Sequence, residues 1–123
     1  MVLTNSAFAQ KSMQISAIAF YNVENLFDTL DDPKNWGDDE FLPHGTYNYT
    51  PKVYQEKLHN LSTLISQLGT TFTPDGAAVV GIAEVENGTV LRDLVKQPAL
   101  SGRNYQYVHF DSRDSRGIDV GML

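Results

Sequence analysis

The sequence predicts a layered fold of the α/β (α+β) class, and three observations lead there. Residues 14–20 (QISAIAF) and 77–85 (AAVVGIAEV) are short apolar runs between polar neighbours, as buried strands are. Between them Tyr54, Leu58, Leu61, Ile65 and Leu68 recur at steps of four, three, four and three, which is one face of a helix. A helix lying between two buried strands is the crossover that joins neighbours within one sheet.

In chain order, the first strand is expected to stop at Phe20, where polar Asn22, Glu24 and Asn25 follow. Residues 28–50 carry Pro33, Gly37, Pro43 and Gly45, which exclude long regular structure. That stretch exceeds a simple connection, and loops of such length are often functional. Thr50 and Pro51 form an N-cap and first-turn pair for the helix, and Gly69 stops it. After the strand at 77–85, Thr89 is expected to cap a short helix over 90–96, ending before Pro98. Residues 105–110 (YQYVHF) and 118–123 (IDVGML) read as two more strands joined by the polar loop DSRDSRG. No internal repeat or low-complexity segment interrupts this order.

Composition narrows the function. The 123 residues are 41% hydrophobic and 20% charged, ordinary for one globular domain. A net charge of -6 with no Lys/Arg cluster excludes a protein that coats nucleic acid by bulk electrostatics. It leaves open an enzyme that holds phosphate locally through a metal. No apolar run approaches the roughly 18 residues of a membrane span. The absence of cysteine excludes disulfides, thiolate metal sites and a lipidated N-terminal cysteine. Ala7-Phe8-Ala9 before Gln10 has the small-x-small form that ends a secretory leader, although a charged and a long apolar region are missing. Residues 1–13 therefore read as a residual leader or disordered terminus, and the location as secreted or periplasmic. GIDVGML reads as a strand with nothing after it to pair or turn, so residues 14–123 are expected to be the N-terminal half of a larger domain.

Two strand ends share one construction. The first leads into Asn22 and Glu24, the second into Glu84, Glu86 and Asn87. Carboxylates at the mouths of core strands are costly to desolvate unless paired or coordinated. On neighbouring strands these oxygens would converge at one edge of the sheet. Oxygen-only ligands suit Mg²⁺, which binds one or two carboxylates and keeps its remaining positions for water and substrate phosphate. From spacing alone, Asn22 and Glu84 read equally well as exposed turn residues without a ligand. His44 and His59 read as solvated bystanders, and His109 as a half-buried strand residue. Asp31, Asp32, Asp38, Asp39 and Glu40 lack a regular calcium-loop pattern and read as a solvated acidic loop. Trp36, Phe41, Tyr47 and Tyr49 are expected to anchor that loop to the body. Asn48, Asn60 and Asn87 each begin an N-x-S/T triplet, which matters only in a glycosylating host.

FYNVENLFD together with GIAEVEN resembles the endonuclease/exonuclease/phosphatase superfamily of metal-dependent phosphoesterases. The resemblance covers residues 14–123 and implies a four-layer α/β sandwich, two sheets face to face with helices outside, of which this chain holds the N-terminal half. It implies that Asn22 and Glu84 belong to a catalytic divalent-metal site taking Mg²⁺ (or Mn²⁺ or Ca²⁺), with Glu24 as a further acidic ligand. DSRDSRGIDVGML is similar to the family's next strand pair, where an Arg-containing loop approaches substrate phosphate; Arg116 matches it first and Arg113 second. The family's later Asp-x-Asn and Asp-His elements have no counterpart here, so the chain by itself is expected to be inactive. The activity that the resemblance implies is hydrolysis of a phosphoester, nucleic acid among the substrates, by a nuclease-like phosphodiesterase. A phosphatase or sphingomyelinase-like hydrolase is the alternative within the superfamily. A non-catalytic extracellular binding module, built on the aromatic loop, is the alternative outside it. A neutral amide at Asn22 suits such a site, because a further carboxylate there would repel an anionic substrate.

Overall fold

A computed structural model describes residues 13–123. The leader expected over residues 1–13 therefore lies outside the described residues, Met13 excepted. The crossover helix, α1 (Pro51–Ile65), is capped by Thr50, whose hydroxyl accepts the Val53 N–H at 3.4 Å. Tyr54, Leu58, Leu61 and Ile65 are buried, as their spacing requires. Leu68 packs on the same core from the turns that follow the helix, and Gly69 adopts a left-handed φ of 80° there.

The first strand does not stop at Phe20. β1 (Ala17–Leu26) runs on for six residues and pairs in parallel with β2 (Ala77–Val85), Asn22 standing opposite Ala83 and Leu26 opposite Val85. The reason is packing: Val23 and Leu26 beyond the polar residues are buried in the core, so the pairing resumes after an irregular step. Next comes α2 (Gly88–Val95), two residues earlier than expected. Its cap is Asn87 rather than Thr89, because the Asn87 amide oxygen accepts the N–H groups of both Thr89 (2.7 Å) and Val90 (3.1 Å). A single turn starting at Pro98 makes α3 (Pro98–Ser101), an element absent from the sequence-based expectation. β3 (Val108–Phe110) is shorter than expected, and Tyr105, which lies before it, donates its hydroxyl to the Ala77 carbonyl. β4 (Asp119–Met122) completes the elements.

The strands form one mixed sheet in the order β1-β2-β4-β3, with β4 antiparallel to both neighbours. All three helices contribute to a core on one face, where Leu58, Val80, Ile82, Leu91 and Leu100 are fully enclosed. The other face is apolar and open. Phe20, Gly81, Met122 and Val108 stand in register across it, followed by Asn22, Ala83, Val120 and Phe110. One sheet with its helical layer is two of the four layers of the expected sandwich, and the α/β class holds. No described helix is long and apolar enough to cross a membrane.

Candidate metal and phosphate site

The end of β1 departs from ordinary strand geometry. Glu24 and Asn25 have left-handed φ values of 55° and 59°, and across the pairing Glu84 of β2 has 66°. Asn tolerates this region, but a glutamate held there is strained, at about 1 kcal/mol or more each. Side chains hold the distortion in place. The Asn22 amide oxygen accepts the Glu24 N–H at 2.8 Å. The Glu84 carboxylate accepts the Asn25 N–H at 3.2 Å. From α1, the Lys57 ammonium donates to the carbonyls of Glu24 and Asn25, the latter at 2.9 Å.

These contacts bring Asn22, Glu24 and Glu84 to one end of the sheet. Asn22 sits opposite the residue preceding Glu84. Burial pulls the Lys57 amine below its ordinary range, while the charges of the Glu24 and Glu84 carboxylates push it back up. Asn22 and Glu84 share no direct hydrogen bond; the backbone of residues 24 and 25 joins them.

Arg116 arrives from the β3–β4 loop, its guanidinium 4.0 Å from Glu84 Oε1. Asp114 orients it with two charge-assisted hydrogen bonds of 3.1 and 2.9 Å. Those bonds pull the Asp114 carboxyl down to about 2. Arg113 is exposed and enters no ion pair among the described residues, so the structure brings only one of the two expected arginines to Glu84.

Asn22, Glu24 and Glu84 offer donor types that a hard divalent cation takes, two carboxylates and one amide oxygen, without sulfur or imidazole. Glu84 Oε1 meets only the distant Arg116 nitrogen, and the Asn22 oxygen retains a second lone pair.

Several residues of this region escaped the sequence. Lys57 carried no signal beyond standing beside Leu58 on the helix. Glu86 follows Glu84 by two residues but is buried with its carboxylate on the Asp28 N–H at 2.7 Å. Burial, with the Asp28 charge behind it, pushes the Glu86 carboxyl up to about 7. The long loop also reaches the site. The Asn35 amide donates to the Gly117 carbonyl at 3.4 Å, and a Cβ at Gly37 would overlap the Arg116 carbonyl. Glycine at 37 therefore lets the loop back directly onto the arginine.

Away from Glu84, three carboxylate or imidazole side chains lie within 4.8 Å of one another in two places among the described residues. At His109, Nε2 meets Asp119 at 2.8 Å and Nδ1 stands 3.6 Å from Asp111, while Asp119 also accepts the Ser112 N–H at 2.6 Å. This half-buried histidine thus anchors the base of the arginine loop. The other place is Asp31, Asp38 and Asp39. Asp38 is only 2% exposed, which corrects the expectation of a wholly solvated acidic loop. Its carboxyl is raised above the ordinary range by burial. The aromatic anchor is partly as expected: Phe41 stacks on Phe27 at 4.2 Å and Tyr49 is buried, whereas Trp36 is 85% exposed and anchors nothing.

No curated protein and no solved structure matches the chain. The model of the Endonuclease/Exonuclease/phosphatase family matches residues 17–123, spanning all four strands and both ends of the site just described. The chain therefore belongs to the endonuclease/exonuclease/phosphatase family, whose members are hydrolases that act on phosphoesters with divalent metal.

Proposed function

We propose that the domain serves a nuclease-like phosphodiesterase working outside the cytoplasm, with Glu84 as the charged ligand of one Mg²⁺ and Asn22 and Glu24 completing the protein's share. The observation that carries this is the placement of Glu84 between the Asn25 N–H and the Arg116 guanidinium. One carboxylate oxygen is thereby fixed while the other faces an anion-binding cation. When bound, the metal supplies a Lewis acid for the phosphoryl oxygen and offsets charge on the leaving oxygen.

The protein's own residues do the rest. Lys57 locks the bulge that carries Glu24. Arg116, pre-oriented by Asp114, attracts the phosphate oxygens and stabilises charge that grows on them in the transition state. Asn22 contributes an oxygen without adding negative charge. The leader-like Ala7-Phe8-Ala9 supports the location.

The test is hydrolysis of bis(4-nitrophenyl) phosphate by the full-length protein with Mg²⁺. Chelator should abolish turnover, and Glu84→Ala should lower kcat by roughly 10²-fold or more. Turnover that persists in chelator refutes the proposal.

A further inference from the structure

We propose that the loop between β1 and α1 holds a second divalent cation, of the Ca²⁺ class, through the carboxylates of Asp31, Asp38 and Asp39. Asp38 is enclosed, with 2% of its surface exposed. Its Oδ2 accepts the Asp32 N–H at 2.8 Å, but its Oδ1 is buried with no hydrogen-bond partner. A buried carboxylate oxygen without a partner is the arrangement that native proteins avoid unless an ion or a proton completes it.

The surroundings favour the ion. Oxygens of Asp31 and Asp39 lie within 4.8 Å of one another and of Asp38. Among the described residues, no lysine, arginine or histidine forms an ion pair with any of the three. Three like charges this close repel unless a positive charge sits among them. The donors are all carboxylate oxygens, which selects a hard cation.

The ion would tie residue 31 to residues 38 and 39, closing the segment that contains Asn35 and Gly37. That segment rests against Arg116 and Gly117. The site is separate from Glu84 and does not depend on the hydrolase proposal.

Calorimetric titration of metal-free full-length protein with Ca²⁺ tests it, alongside Asp38→Asn, Asp39→Asn and Glu84→Ala. One Ca²⁺ should bind with a Kd of about 10⁻⁵–10⁻³ M, the range of weaker protein sites, and raise the Tm. Each aspartate variant should weaken that binding about tenfold or more, as removal of a ligand charge does, while Glu84→Ala should retain it. Asp39 is exposed, so its variant carries the test should Asp38→Asn not fold. Unchanged binding in the Asp39 variant, binding lost only in Glu84→Ala, or no uptake by the wild type overturns the proposal.

Discussion

The backbone N–H of Asn25 donates to the carboxylate of Glu84 at 3.2 Å, across 59 residues of sequence. The side chain proposed above as the metal ligand is thus also the tie between two strand ends. The two roles separate in Glu84→Gln, whose amide oxygen still accepts the Asn25 N–H. Urea unfolding should show a stability change within about 1 kcal/mol, the scale of one neutral hydrogen bond. Mn²⁺ affinity, followed by electron paramagnetic resonance, should nevertheless fall at least tenfold, since the charged ligand is gone (roughly the effect of 1.4 kcal/mol).

Lys57 carries the strain of the bulge. Lys57→Met leaves the carbonyls of Glu24 and Asn25 without their donor and keeps the apolar stem. The expected loss is about 1.5–3 kcal/mol, as for hydrogen bonds from a charged group. Lys57→Arg should recover part of it, and equal unfolding midpoints for all three proteins would remove Lys57 from this role.

Glu86 makes stability depend on pH in the direction opposite to a salt-bridged acid. Its carboxyl is pushed up from 4.5 to about 7 in the folded chain, so between those values the native state holds a proton that the unfolded chain has released. Stability from this group is therefore present below pH 4.5 and is lost as pH rises through about 7. Glu86→Gln, which keeps an acceptor for the Asp28 N–H, should be more stable than the wild type at pH 8 by about 1–3 kcal/mol. In metal-free buffer the difference should vanish near pH 4, and a constant difference across that span would contradict the assignment.

Arg116 and Arg113 should part company in kinetics. Arg116→Ala should raise KM for bis(4-nitrophenyl) phosphate about tenfold by removing one charged contact, while Arg113→Ala leaves it unchanged. Gly37→Ala, which forces a Cβ into the Arg116 carbonyl, should raise KM in the same direction and add little on the Arg116→Ala background. Equal effects of the two arginine variants would show that phosphate is met elsewhere.

Much of the fold was legible because its signals are local. Tyr54 to Ile65 repeat with the helical period, Thr50 and Pro51 mark the start, and the apolar run at 77–85 has no polar face to expose. The family motifs around Asn22 and Glu84 were legible for the same reason, being short and ordered in the chain. The boundaries were less so. Asn87 took the cap expected of Thr89, and β1 ran past Phe20, because both outcomes depend on a competing partner.

By itself the sequence determined the α/β class, the crossover helix, the family and the oxygen-only chemistry of the strand ends, since these depend on residue type and spacing. Tertiary structure alone decided which charges meet. Lys57 beneath the bulge, Arg116 rather than Arg113 beside Glu84, and Asp38 enclosed among other aspartates all result from contacts between segments distant in sequence. The physical reason is that periodicity records which face of an element is buried, whereas a charge's partner and its desolvation depend on where the chain returns.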